Sequence, residues 1–294
     1  MVHSLIKNYK INLFKKIYFY RKVELEISSK YSEQKMRCPT HLSIGQESIS
    51  AAFALCVKKK DFAVSGHRSH LHYLAKGSSL KKMIAEIYGK QGGCSKGKGG
   101  SMHLIDIKNN FMGSSAIVGN SIPTGVGLGL SLSFKKNNQY LSFVFIGDGA
   151  VEEGVFFESA NFAALNNLPV VFICENNLYS VYTKIKDRQP SNRKIYKMVE
   201  AVGIKSFCCQ SSDPIKIYEF MKKKIDFARK IQKPIFLEFS TYRYLEHCGP
   251  NNDDNLKYRP KKEIIDWLKK DPLNLIEKII KKDSKSLNIF KKKN

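Results

Sequence analysis

The sequence has no long hydrophobic run and no paired cysteine motif. No apolar stretch in its 294 residues reaches the roughly 18 consecutive positions of a membrane-spanning helix. The segment Met1–Lys35 lacks the apolar core and cleavage site of a secretory signal. The seven cysteines are odd in number, and no two are spaced as C-x-x-C. These absences argue against a membrane protein, a disulfide scaffold and a zinc ribbon, and they favour the reducing cytoplasm.

Acidic residues are also scarce, because 26 Asp and Glu stand against 50 Lys and Arg, for a formal net charge of +24. The lysines are spread along the chain in short runs such as Lys58–Lys60 and Lys222–Lys224. No RNP-like, zinc-finger or helix-turn-helix signature accompanies them, so specific nucleic-acid binding is not expected. The excess charge should affect solubility and association rather than the fold.

Hydrophobic residues make up 43% of the sequence, which is enough for a substantial core. No internal repeat or convincing linker divides the chain. We expect a single α/β domain over residues 1–294, with an N-terminal helical arm at about residues 1–40 and a polar tail after about residue 281.

The centre of the chain has the pattern of a βαβ unit. An apolar run, Leu141–Ile146, stops at a Gly-Asp-Gly motif, and a second run, Val170–Cys174, stops at Glu-Asn-Asn. Between them lies a helical pattern whose apolar residues are expected on one face: Phe156, Phe157, Ala160, Ala164 and Leu165. The two strands should therefore be parallel and buried, with both polar motifs at the carboxyl edge of the sheet.

These two motifs suit a magnesium ion and a diphosphate. Asp148 offers a carboxylate, and Asn177, 29 positions later, offers an amide oxygen. Magnesium prefers such oxygen ligands together with phosphate. The amides of Gly149 and Ala150 open the next helix, where an anion is favoured. The alternative is a structural Asp at a strand end, because Gly-Asp-Gly alone is common.

A second polar cluster contains Arg68 among three histidines, His67, His70 and His72. The guanidinium fork matches phosphate oxygens, so this cluster also suits an anionic ligand. A metal site made of these three histidines is not expected, because no fourth ligand is suitably spaced.

Three further segments have distinctive patterns. A helix is expected from Ser43, and the glycine-rich residues 92–103 form a loop whose Lys and His content suggests an anionic site nearby. Gly125, Gly127 and Gly129 interrupt an apolar helical pattern, and we expect them to allow close packing on the sheet. A buried strand at residues 234–241 leads into a loop that contains His247.

The order of the motifs GHRSH, GCSKGKGGSMHL, AIVGNSIP, GDG…ENNLYS and TYRYLEH resembles the alpha subunit of the thiamine-diphosphate-dependent 2-oxo acid dehydrogenases. These are the decarboxylating first components of the pyruvate, branched-chain and acetoin complexes, and the likeness extends from about residue 18 to about residue 275. The resemblance implies the three-layer thiamine-diphosphate-binding fold, an α/β fold with a mainly parallel sheet covered by helices on both faces.

The resemblance also implies roles for individual residues. Asp148, Asn177 and the main-chain oxygen of Tyr179 would hold magnesium. His247 and His70 would be the active-site histidines, with His247 pointing at the thiazolium ring and acting in reductive acylation of lipoyl. The complete implied set of cofactor-binding residues is His67, Arg68, Ala116, Val118, Asp148, Gly149, Ala150, Asn177, Tyr179 and His247.

The implied activity is decarboxylation of a small 2-oxo acid, most simply a pyruvate-like one, with transfer of the acyl group to a lipoyl-bearing acyltransferase. The implied partner is a beta subunit in an α2β2 assembly. Three residues depart from the family pattern: His67 stands where many relatives carry Tyr, Ala116 where Gly is common, and Cys248 where animal pyruvate enzymes carry a regulatory Ser. The loop at residues 245–254 also differs from the HGHS pattern typical of pyruvate enzymes. Alternatives are an acetoin dehydrogenase, a thiamine-diphosphate carboligase or sugar-modifying relative without a lipoyl acceptor, and a non-catalytic basic binding protein.

Overall fold

The computed structural model describes residues 2–36, 38–135 and 139–282, with side chains from residue 9 onward. From residue 283 onward, the predicted polar tail lies outside the described residues. The helices are α1 Val2–Tyr31, α2 Glu47–Cys56, α3 His70–Ala75, α4 Leu80–Ile87, α5 Ser121–Ser133, α6 Gly154–Leu165, α7 Ile185–Arg188, α8 Ile195–Ala201, α9 Pro214–Ile231, α10 Lys261–Leu268 and α11 Pro272–Lys282. The strands are β1 Phe62–Ser65, β2 Phe111–Ser114, β3 Ser142–Gly147, β4 Val170–Asn176, β5 Tyr179–Ser180, β6 Thr183–Lys184, β7 Lys205–Cys209 and β8 Ile235–Ser240.

Six strands form one parallel sheet in the order β2-β1-β3-β4-β8-β7. Strands β3 and β4 are adjacent, with Val144 opposite Phe172, so the predicted βαβ unit is confirmed. Side chains alternate between two separate clusters of buried residues. Phe143 and Phe145 belong to one cluster, whereas Val144 belongs to the other. Both faces of the sheet are therefore buried, as its continuous apolar strands require.

Helices cover both faces. Buried residues of α1, α2 and α9 belong to one cluster, and those of α5, α6 and α8 belong to the other. The result is a three-layer α/β architecture, as predicted. The carboxyl ends of β1, β3 and β4 lie side by side at one edge, because these strands are parallel and adjacent. In the described part of the chain, no helix is long and apolar enough to cross a membrane.

Helix α5 packs closely on the sheet through two of its glycines. A Cβ on Gly125 would lie 2.3 Å from Cγ2 of Val144, and one on Gly129 would lie 2.4 Å from Cγ2 of Val170. Gly127 points away from the sheet into open space. The packing role predicted for the three glycines therefore holds for Gly125 and Gly129, and it is wrong for Gly127.

Two other local predictions need correction. Helix α2 begins at Glu47 rather than Ser43, because Gly45 adopts a φ of 99° and interrupts the helical path. On α6, Phe157 and Leu165 are exposed, and the buried stripe is Phe156, Ser159, Ala160 and Ala163. The helical period of 3.6 residues joins these four positions on one face, which the five predicted positions do not share.

Candidate active site

A cavity lies at the carboxyl ends of β1, β3 and β4. Every cofactor or metal residue predicted from the sequence lines it: His67, Arg68, Ala116, Val118, Asp148, Gly149, Ala150, Asn177, Tyr179 and His247. His70 does not line it. It is fully buried and hydrogen-bonds to Glu24 of α1 at 3.1 Å and to Ser101 at 2.7 Å. The sheet edge thus brings together motifs that are far apart in sequence.

Asp148 follows β3 directly and is 2% exposed. Burial raises the pKa of its carboxyl, which the neighbouring Arg188 opposes. The Arg188 guanidinium donates to Asp148 and to Glu152, and its Nε donates to the Thr183 carbonyl at 3.2 Å. A buried carboxylate is costly without a cation, and Arg188 supplies one. This contact was not predicted, because Arg188 is the last residue of α7 and lies 40 residues after Asp148 in the chain.

A chain of hydrogen bonds fixes the amide of Asn177. Its Nδ2 donates to Gln46 Oε1 at 3.1 Å, and its Oδ1 accepts from the Tyr179 amide at 3.1 Å. Gln46 is held in turn, because its Nε2 donates to Glu175 at 3.1 Å. His72 hydrogen-bonds to the other Glu175 oxygen at 3.1 Å. Gln46 and Glu175 line the cavity and were not predicted, because their sequence pattern is that of ordinary helix and strand residues.

Arg68 is a buried cation with no ion-pair partner among the described side chains. It is 8% exposed, and its guanidinium donates to the carbonyls of Leu42 and His247. Burial, followed by repulsion from Arg243, lowers its pKa to about 9, so it is charged at neutral pH. A buried guanidinium that lines a cavity and donates only to carbonyls favours an anionic ligand.

Three histidines meet at the same cavity. The ring centroids of His41 and His67 are 4.6 Å apart, those of His41 and His247 5.0 Å, and those of His67 and His247 5.3 Å. Burial first, and Arg68 second, lowers their pKa values to about 2 for His41, about 4 for His67 and about 3 for His247. All three are therefore neutral at physiological pH. His41 was not predicted as a site residue, because it stands alone before α2 and forms no recognisable motif with the other histidines.

A buried carboxylate holds the backbone of the glycine-rich loop. The carboxylate of Glu86 on α4 accepts from the amides of Ser95 at 2.7 Å, Gly97 at 2.9 Å and Gly99 at 2.6 Å. Of residues 92–103, only Met102 is among the residues that line the cavity. The Glu86 carboxylate therefore fixes the backbone of the loop, and the loop reaches the cavity through Met102.

Comparison with known proteins identifies the family of this chain. The family model described as "Dehydrogenase E1 component" matches residues 15–288. The chain belongs to the dehydrogenase E1 component family. Among its E1 relatives is the pyruvate dehydrogenase E1 component subunit alpha of Rickettsia bellii, 38% identical over 275 residues, which are 94% of this chain and 83% of that protein. The testis-specific mitochondrial form of the pyruvate dehydrogenase E1 component subunit alpha of Rattus norvegicus is 34% identical over 273 residues. These are 92% of this chain and 68% of that protein.

A solved structure shares the fold of this E1 chain. A transketolase mutant from Pichia stipitis superposes with a TM-score of 0.62 at 18% identity. The match covers 96% of this chain and 47% of the transketolase. At this level of identity the likeness concerns the fold alone, and it agrees with the three-layer architecture predicted from the sequence.

Proposed function

We propose that this chain is the alpha subunit of a pyruvate dehydrogenase E1 component. It would act as a thiamine-diphosphate-dependent oxidoreductase that decarboxylates a 2-oxo acid and passes the acyl group to a lipoyl acyltransferase. The observation that supports this best is the meeting of Asp148, Asn177, Arg68 and His247 at one cavity of an E1-family chain. Family membership implies thiamine diphosphate as cofactor, a beta subunit and an acyltransferase.

Magnesium would be held by Asp148, the Asn177 side-chain oxygen and the main-chain oxygen of Tyr179. This donor set consists of oxygens only, as magnesium prefers, and leaves positions for phosphate oxygens. The residues present fit the ion, because the buried Asp148 carboxylate already attracts a cation, Arg188. We propose that magnesium displaces Arg188 from Asp148.

The diphosphate would lie against Arg68, His67 and the amides of Gly149 and Ala150. Gly149 suits a close approach, since a Cβ there would lie 2.9 Å from Oγ of Ser180. The backbone groups of Ala116 and Val118, in the loop before α5, would contact the aminopyrimidine. Thiamine diphosphate, when bound, supplies the decarboxylation chemistry by adding to the keto carbon and accepting the electron pair left by carbon dioxide.

His247 would face the thiazolium ring and handle a proton during acyl transfer to lipoyl. Burial lowers the pKa of His247, so one ring nitrogen is unprotonated at physiological pH and can accept a hydrogen bond. His70, also predicted as an active-site residue, would position the site rather than touch the substrate. Its hydrogen bonds to Glu24 and Ser101 connect α1 to the glycine-rich loop. The carboxylate that activates the cofactor's pyrimidine would come from the beta subunit in an α2β2 assembly, so the chain alone would be inactive.

Pyruvate is the substrate that the names of the relatives favour over acetoin or a branched 2-oxo acid. We further propose that residues 1–294 form one domain and that the protein works in the cytoplasm, where its seven unpaired cysteines would stay reduced.

Calorimetry with thiamine diphosphate and magnesium tests the proposal, using the chain alone and with its co-expressed beta subunit. We expect magnesium-dependent binding in the complex, followed by pyruvate-dependent reduction of a lipoyl domain. Asp148→Asn should abolish binding, whereas Asp187→Asn, at an exposed neighbour of Arg188, should not. Full turnover by the chain alone would contradict the shared site, and no binding in the complex would overturn the cofactor assignment.

A further inference from the structure

The histidine cluster has the geometry of a second metal site, distinct in chemistry from the all-oxygen set around Asp148. One ligand nitrogen from each of His41, His67 and His247 lies within 4.8 Å of the other two. Around a tetrahedral ion with bonds of about 2.0–2.1 Å, such nitrogens lie roughly 3.4 Å apart. Small rotations of the three rings would therefore close them around one ion.

His41 provides an independent sign of a missing ligand. Its side chain is 6% exposed, and its Nδ1 has no hydrogen-bond partner among the residues that the structure describes. Buried side-chain nitrogens are usually partnered, because an unsatisfied one loses its bonds to water without replacement. The orphaned nitrogen belongs to the residue that contacts both other rings.

We infer that His41, His67 and His247 bind one divalent transition-metal ion, such as Zn²⁺, in the cavity. Three imidazole nitrogens suit zinc, copper, nickel or cobalt rather than magnesium, and they leave a fourth position open. The charge of Arg68 beside them opposes the ion and keeps its affinity below that of a site without a cation.

This inference goes beyond the proposed function, which assigns His67 and His247 to the cofactor. A zinc ion on these side chains would occupy the space in which His247 meets its substrate. The protein would then be inhibited by zinc at the cavity itself, without any involvement of its thiols.

The test uses the full-length, untagged chain, alone and with its beta subunit, stripped with a chelator and titrated with CoCl₂ in the absence of thiamine diphosphate. We expect one Co²⁺ per chain to show the visible absorption of a four-coordinate ion, and we expect ZnCl₂ to abolish that absorption. His67→Tyr keeps an aromatic ring but removes the nitrogen, and it should weaken binding about tenfold or more. His103→Tyr, at an exposed histidine, should leave binding unchanged.

No spectral change with the wild-type chain, or equal affinity in His67→Tyr, would overturn the inference. His247→Gln provides a second variant, and circular dichroism should show that both variants are folded. A chain that binds Co²⁺ but not thiamine diphosphate with its partner would keep this inference and lose the proposed function. A complex that binds thiamine diphosphate, with a chain that does not bind Co²⁺, would keep the proposed function and overturn this inference.

Discussion

Arg188 is the residue whose replacement should most directly reveal the magnesium site. Its guanidinium lies on the Asp148 carboxylate that a magnesium ion would need. In Arg188→Gln the ion no longer has to displace a cation, so we expect several-fold tighter magnesium binding by calorimetry. Arg193→Gln, at an exposed position between α7 and α8, is the control and should change nothing. Weaker binding in Arg188→Gln would mean that Arg188 supports the ion rather than competing with it.

Gln46 should influence the same ion without touching it. Its Oε1 accepts from Nδ2 of Asn177, so the Asn177 side-chain oxygen points away from Gln46. Gln46→Leu removes that restraint, and we expect magnesium affinity to fall about 10- to 100-fold, as is usual for groups that orient a ligand. Gln91→Leu, at an exposed position, serves as the matched control. An unchanged affinity in Gln46→Leu would remove Gln46 from the site.

The histidine cluster should make stability depend on pH. Burial beside Arg68 lowers the pKa of His67 from 6.5 to about 4, with Arg243 contributing at His247. Between these values the unfolded chain binds more protons, so the free energy of unfolding falls as pH drops from about 6.5 toward 4. His67→Tyr should lose less stability than wild type between pH 7 and pH 5 in urea unfolding. His103→Tyr is the control. If the free energy of unfolding of His67→Tyr falls between pH 7 and pH 5 as much as that of His103→Tyr, the pH dependence does not come from His67.

At the scale of elements, α5 offers two glycines with opposite environments. Gly125→Ala forces a Cβ against Val144 and Val64, and we expect a loss of about 1–3 kcal/mol from overpacking. Gly127→Ala meets open space and should stabilise the helix by about 0.5–1 kcal/mol. Urea unfolding of both variants measures the contrast. Equal effects would mean that α5 does not sit tightly on the sheet.

Local sequence patterns predicted the positions of the strands and helices well, but they predicted less well which face of a helix is buried. The strand ends at Asp148 and Asn177 were predictable, because apolar runs that stop at polar motifs mark the edge of a parallel sheet. The exposure of Leu165 was not, because a helical stripe several residues wide can be drawn in more than one way. His41, Gln46 and Arg188 reach the cavity from positions far from the motifs, and only the assembled sheet edge brings them there.

At the scale of the whole molecule, one partly buried guanidinium joins the N-terminal part of the described chain to its C-terminal part. Arg21 of α1 donates to Glu47 of α2, and to Asp271 at the start of α11 at 2.8 Å. Arg21→Met would leave two buried carboxylates without a cation, so we expect a loss of about 3–5 kcal/mol. Arg193→Met is the exposed control. Urea unfolding that gives equal stabilities would show that Arg21 does not join the two ends.

The same contact has a consequence for biosynthesis. Arg21 and Asp271 are 250 residues apart, and a ribosome adds about 5–20 residues each second. Helix α1 is therefore made some 10–50 s before the residue that completes its anchor. During that interval its apolar face, with Leu13 and Ile17, lacks α11 as a neighbour, and the nascent chain offers chaperones a hydrophobic surface at its leading end.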